Sequence, residues 1–218
     1  MRPKLAIWGT SGHTTVVADI VRLVGEYEIV GYLDDHHTER HGGEFLGAPV
    51  LGGEEQLPAL REQGVRHLIL GFASSPARHR LHAAASELGF DLASAIHPRA
   101  LVAPGASIGA GAIVKAGAIV EPGAVVGPNA IIGSVVLVAH EAVIGAAARI
   151  CAGTMIGGRV TVGDGTWLGI GACLKDRVQV GAWSLIGAGA VVVDDIPDDV
   201  VAYGVPARVM RRVAAGDL

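Results

Sequence analysis

The sequence predicts a mixed α/β domain followed by an all-β prism, and three observations carry that reading. From Val102 to Ile186 an aliphatic residue returns at every sixth position without a slip, giving fifteen successive hexads. Four positions after each aliphatic sits a small or short side chain, as at Ala106, Ala112, Val136, Thr154 and Ser184. Ahead of that stretch, residues 4–97 alternate short apolar runs with amphipathic segments. A helix repeats about every 3.6 residues and a strand about every 2, so a period of six calls for a short strand plus a tight turn. Three such units close a triangular coil of eighteen residues, and five coils stack.

Taken in order, Lys4 to Trp8 is an apolar strand, Gly9-Thr10-Ser11-Gly12-His13 a turn, and Thr14 to Val24 a helix with Val16, Val17, Ile20, Val21 and Val24 at helical spacing. Ile29 to Leu33 is the next strand and ends in Asp34-Asp35, completing a βαβ unit. A loop rich in His and Gly (His36, His37, His41, Gly42, Gly43) leads to a helix over Glu54 to Gln63. His67 to Phe72 is a third strand, Pro76 to Leu88 a helix, and Leu92 to Ile96 a fourth strand. This alternation predicts a small Rossmann-like domain over 1–97, a parallel sheet with helices on its faces. His97-Pro98 marks its junction with the prism.

The prism, over 98–193, is a solenoid. Each coil leaves apolar surface and backbone amides open until the next coil covers them, so stacking buries one apolar column and pairs the amides along the axis. At about 4.8 Å per stacked strand, five coils give a column of roughly 24 Å. Glycine beside the aliphatic (Gly109, Gly127, Gly145, Gly163, Gly181) is expected at turns because it reaches conformations closed to residues with a Cβ. The tail, 194–218, leaves the hexad register at Asp194-Asp195-Ile196-Pro197.

Composition excludes several classes. Half of the 218 residues are hydrophobic, but Lys115, Glu121, Asp164 and Lys175 cut every apolar run, so no membrane-spanning segment is expected. The start, Met1-Arg2-Pro3-Lys4-Leu5, lacks a secretory apolar region, and a cytoplasmic location is expected. A net charge of -4 without a basic cluster argues against nucleic acid as partner. Cys151 and Cys173 have no CxxC spacing and read as buried, reduced thiols, with no metal site.

Two places offer chemistry. The Gly9 to His13 loop follows a strand and opens a helix, where backbone N–H groups bind phosphate. Asp34 and Asp35, at the end of the second strand, suit hydrogen bonds from a ribose or base. The loop is only Gly-x-x-Gly, and so short a domain supplies half of a dinucleotide site, which argues against a nicotinamide cofactor. In the prism, His140 is the only histidine after His97, on a turn where side chains point outward, with Glu141 beside it. An imidazole titrates near neutral pH and suits a general base.

These features in this order resemble the hexapeptide-repeat sugar O-acyltransferase group that includes the PglD and NeuD acetyltransferases: the glycine-rich strand-helix start, the Asp-Asp pair, the His-Pro junction, the hexads, the outward His followed by an acid, and the ending Asp195-Ile196-Pro197-Asp198-Asp199-Val200-Val201-Ala202-Tyr203-Gly204-Val205-Pro206-Ala207. The resemblance covers nearly the whole chain. It implies a left-handed parallel β-helix, a homotrimer, and transfer of an acetyl group from acetyl-CoA to the amine of a nucleotide-linked amino sugar, UDP- or GDP-linked, of the 4-amino-4,6-dideoxy class. By that resemblance Gly9, Ser11, Gly12, His13, Asp34 and Asp35 hold the nucleotide sugar. His140 is the base, Glu141 its orienting neighbour, and the Gly158 N–H faces the thioester oxygen. Gly158, Gly187, Ala188, Tyr203, Gly204 and Pro206 meet CoA. The chain departs from the family pattern at Gly133, Ala139 and Arg149, where Asn, Glu and a second His are common, and at His13-Thr14-Thr15. O-acetylation of a sugar hydroxyl and a non-catalytic trimeric nucleotide-sugar-binding protein stay open as alternatives.

Overall fold

A computed structural model of the chain describes residues 2–218. Its N-terminal part is an α/β layer. The strands β1 (Lys4–Trp8), β2 (Glu28–Leu33), β3 (Glu44–Phe45), β4 (Ala48–Gly52), β5 (His67–Leu70) and β6 (Asp91–Leu92) form one sheet in the order β3-β4-β2-β1-β5-β6. All neighbours are parallel except the β3-β4 hairpin. Helix α1 (Gly12–Val24) begins two residues before the expected Thr14, because Ser11 caps it: the Thr14 N–H donates to the Ser11 hydroxyl and the Ser11 N–H to Thr14 Oγ1. The segment expected as one helix from Glu54 divides into a 3-10 turn, Glu54–Gln56, and α2 (Leu57–Glu62). Helix α3 (Ser75–Glu87) follows β5. The β3-β4 hairpin was hidden in the His- and Gly-rich loop.

The strand expected over Leu92 to Ile96 is two strands with different partners. Asp91–Leu92 pairs with β5, whereas β7 (Ala95–Ile96) pairs with Ile113–Val114 and is the first rung of the prism. From β7 onward two-residue strands wind through three parallel sheets. The first sheet starts at β7, the second at Leu101–Val102 and the third at Ser107–Ile108. In each rung the second residue points inward. Val114, Val120, Val126, Ile132, Val138, Ile144, Ile150 and Leu168 are all buried, and Ala112 through Ala190 fill the spaces between them in one continuous core. Each rung's partner lies eighteen residues on, as the hexads require.

The turns differ from the expectation in one respect. The positive-φ residue is not the glycine beside the aliphatic but the residue two positions later, at every sixth residue from Gly111 to Gly189. Half of these are not glycine, Glu141 (φ 58°) and Arg159 (φ 58°) among them. The glycines beside the aliphatics answer to close approach instead: a Cβ on Gly127 would fall 2.8 Å from the Ala146 nitrogen of the next coil. The tail returns as a hairpin, Val200–Gly204 with Ala207–Arg212, whose first strand extends the first sheet beyond Leu185–Ile186.

The two parts share a core. Ala95, Ile113 and Ile131 point out of the first sheet yet are buried, packed with Leu5, Ile7, Val17 and Ile20. Arg78 of α3 staples the seam. It is fully buried, and its guanidinium donates to the carbonyls of Leu70 (2.6 Å) and Phe72 (2.9 Å) in one part and of Asn129 (2.8 Å) and Gly111 (3.0 Å) in the other. Burial without an acidic partner pulls it down to about 9.

Candidate active site

His140 stands on the turn between the second and third sheets, immediately after the Leu137–Val138 rung. Its backbone N–H donates to Glu121 Oε2 at 2.8 Å, a carboxylate one coil back that pins the turn. Its Nδ1 lies 3.2 Å from Glu141 Oε2, and Arg159 Nε donates to the same oxygen at 2.8 Å. With Nδ1–H donating to a carboxylate, the imidazole lone pair is left on Nε2. That nitrogen sits over Gly158, where a Cβ would fall 2.6 Å away, so only glycine leaves it room. His140, Gly158, Arg159, Asp176, Lys175 and Arg177 line an open groove of about 770 Å³. The arrangement sets an oriented base beside three cations and three carboxylates, with Asp194 and Asp195 also in the lining.

Gly158 itself reads differently from expectation. Its N–H donates to Asp176 Oδ1 at 2.8 Å, so it can serve a thioester oxygen only when Asp176 turns away. Glu121, Arg159 and Asp176 escaped the sequence reading. The signal was the coil length: Arg159 lies eighteen residues after Glu141, and Asp176 eighteen after Gly158.

The second site is a pocket of about 610 Å³ at the carboxyl end of the N-terminal sheet, lined by Gly9, Ser11, Asp34 and Asp35 together with Trp8, Thr10, His37 and Phe72. Gly12 and His13 are not in its wall. His13 turns to the prism instead, with Nδ1 3.3 Å from Lys115 Nζ and Nε2 buried without a partner. Burial first, then the charges of Lys115, Arg78 and Arg149, hold it at about 3. The expected ligand role of Asp34 also needs correction. It is buried, and its carboxylate already accepts from the N–H groups of Thr10 (2.9 Å), His36 (2.8 Å) and His37 (2.9 Å), from the Thr10 hydroxyl, and from His37 Nδ1 at 3.0 Å. A carboxylate offers about four lone-pair sites, so none is left for a ribose. Burial opposes its charge, but these hydrogen bonds outweigh it and hold the carboxyl far below the usual range. Asp34 shapes the loop. Asp35, exposed, accepts only from Trp8 Nε1 and the Glu54 N–H, both at 2.7 Å, and keeps free lone pairs toward the pocket.

The expected CoA residues separate. Tyr203 packs on Gly187, and Gly204 and Pro206 follow in the hairpin, all near the corner between the first and second sheets, whereas Gly158 is on His140's corner. The N-terminal domain covers the first sheet, and His140 projects from the corner across the triangle from that sheet. Within one chain, then, the domain that carries the Asp35 pocket and the corner that carries His140 lie on opposite sides of the prism. The cysteines were expected to be buried, and neither is: Cys151 is half-buried, accepting from Trp167 Nε1 at 3.0 Å, and Cys173 is exposed. Arg149, at one of the positions that depart from the family pattern, lies over the Trp167 ring, 4.3 Å from its centroid. Among the described residues, no helix is long and apolar enough to cross a membrane.

Comparison with known proteins places the chain in a family. Residues 4–84 match the model of the PglD N-terminal domain. PerB from Caulobacter crescentus, solved with CoA and GDP-perosamine, is 37% identical, with a TM-score of 0.90 over 95% of this chain and 97% of that one. The acetyltransferase domain of PglB from Neisseria gonorrhoeae, solved with acetyl coenzyme A, is 35% identical, with a TM-score of 0.89 over 96% of this chain and all of that one. A His-to-Ala variant of GDP-perosamine N-acetyltransferase from Caulobacter crescentus, also with CoA and GDP-perosamine, is 35% identical over 95% of this chain and 96% of that one, at a TM-score of 0.77. No curated protein matches the chain. The chain belongs to the PglD-like family of acetyl-CoA-dependent sugar N-acetyltransferases.

Proposed function

We propose that this chain transfers the acetyl group of acetyl-CoA to the amine of a nucleotide-linked 4-amino-4,6-dideoxy sugar, UDP- or GDP-linked, working as a cytoplasmic homotrimer. The observation that carries the reading is the imidazole of His140, tethered at Nδ1 by Glu141 and bare at Nε2 over Gly158. The amine attacks the thioester carbonyl carbon while Nε2 takes the amine proton. The tetrahedral centre then collapses, the C–S bond breaks, and the imidazolium returns the proton to the departing CoA thiolate. No covalent enzyme intermediate is needed. Arg159, Lys175 and Arg177 line the groove among Asp176, Asp194 and Asp195, and their cations favour the developing oxyanion. The Gly158 N–H joins them once Asp176 releases it.

The acceptor's nucleotide is assigned to the pocket at Asp35, and CoA to a groove between neighbouring prisms. The placement of the N-terminal domain and His140 on opposite sides of one prism supports a closed assembly, in which one subunit's sugar meets its neighbour's base. The test is a product mass with acetyl-CoA and a panel of UDP- and GDP-linked amino sugars. An acetyl mass increment on an amine, lost in His140→Ala, is the expected result. Acetylation at a hydroxyl instead would favour the O-acetyl alternative. Absence of turnover, with no thermal stabilisation by CoA or nucleotide sugars, would leave a binding scaffold.

A further inference from the structure

Positive-φ positions at the corner that carries His140 form a ladder eighteen residues apart: Gly123, Glu141, Arg159 and Arg177. The last three have φ of 58°, 58° and 63°, a conformation disfavoured for residues with a Cβ. In this ladder alone, three successive rungs carry charged side chains, and the first two touch. Arg159 Nε donates to Glu141 Oε2 at 2.8 Å, the oxygen that faces His140 Nδ1 at 3.2 Å. Without Arg159, the Glu141 side chain, half exposed, is free to swing into solvent and release the ring.

Resting on the acetyltransfer reading above, we propose that Arg159 is a positioning residue for the base: it clamps Glu141 against Nδ1 of His140, which keeps the lone pair on Nε2, over Gly158 and facing the groove. The Arg159 hydrogen bond, then that of His140, holds the Glu141 carboxyl below its usual range, so the clamp persists through neutral pH. The remaining charges facing the ring are Glu121, engaged with the His140 N–H, and Asp176, engaged with the Gly158 N–H. Lys175, Arg177, Asp194 and Asp195 line the rest of the groove. None of these touches the imidazole.

The test compares the intact trimer with Arg159→Gln and Arg159→Lys. Arg159→Gln is expected to lower kcat about tenfold with little change in KM for either substrate. Arg159→Lys is expected to recover most of kcat. In parallel, 15N NMR of the imidazole reads the tautomer directly, without turnover. The wild type should hold the Nδ1–H form at pH 8, and Arg159→Gln should show a mixture of tautomers. An unchanged tautomer in Arg159→Gln overturns the proposal. So does a raised KM for acetyl-CoA with kcat intact, which would make Arg159 a contact for CoA phosphates. Should the wild type acetylate no nucleotide sugar, the acetyltransfer reading fails while the tautomer comparison still decides the clamp.

Discussion

Nε2 of His140 lies so close to the Cα of Gly158 that a methyl group there would sit 2.6 Å from it. Gly158 is not at a positive φ, so alanine fits its backbone and conflicts only with the ring. Gly158→Ala should therefore push the imidazole out of register and cut kcat by about tenfold or more, with a melting temperature close to wild type. Retention of wild-type kcat would mean that the ring's place over Gly158 does not matter.

The proposed base and the proposed nucleotide pocket lie on opposite sides of the prism, so the proposal requires two subunits per site. His140→Ala and a pocket variant such as Asp35→Ala should each be nearly inactive as homotrimers. Co-refolded in equal amounts, they should regain about a quarter of wild-type activity, since a site needs an intact half from each of two neighbours. A mixture as inactive as its parents, or a monomer by light scattering, removes the shared-site account.

Arg78 has four backbone acceptors and no acid. Arg78→Met keeps the aliphatic volume but strands the carbonyls of Leu70, Phe72, Gly111 and Asn129. An unpartnered buried acceptor costs on the order of 1–3 kcal/mol, so a loss of about 3 kcal/mol or more is expected in chemical denaturation. The N-terminal domain should loosen first, visible as faster amide exchange in β5 and α3. A change below about 0.5 kcal/mol, the range of ordinary surface substitutions, would show that the seam does not depend on it.

His13 makes the same seam acid-sensitive. An unfolded histidine takes up a proton near pH 6.5, whereas the folded His13 resists protonation to about pH 3. Above about 6.5 the residue has no linkage effect. As pH falls through the interval from about 6.5 to 3, the unfolded state binds the extra proton and stability is lost. His13→Gln cannot take that proton, so its stability should fall less steeply between pH 7 and 4, measured by urea denaturation. Parallel slopes in the two proteins would contradict the burial of His13.

Ligand binding gives a direct readout of the second site. A nucleotide sugar at a hundred times its Kd should add about 2.7 kcal/mol, seen as a rise in melting temperature. Asp35→Ala should reduce that rise, while Asp34→Asn should lower the melting temperature even without ligand, because Asp34 holds the loop from inside.

The prism was legible because its period is local. Each aliphatic at a sixth position reports its own inward direction, and a single slip would have put it on the wrong face. His140 was legible for the same reason: an isolated imidazole at an outward turn position interrupts a run of small and apolar residues. The division of Leu92 to Ile96 between two sheets was not legible, since a five-residue apolar run looks alike whichever neighbour it pairs with. The aspartate pair misled because adjacent acids share one sequence signal, yet Asp34 is filled by five protein donors and Asp35 keeps room for a ligand.

By itself, then, the sequence determined the coil length, the inward faces, the glycine-opened helix and the lone outward imidazole, all set by spacings within a few residues. Only the tertiary structure decided what meets across coils and domains: Arg159 on Glu141, Asp176 on the Gly158 N–H, His13 turned to Lys115, and Arg78 bound to the Gly111 and Asn129 carbonyls of the other part. Those contacts join residues eighteen to about a hundred apart, whose meeting depends on how whole elements stack and is written in no short pattern.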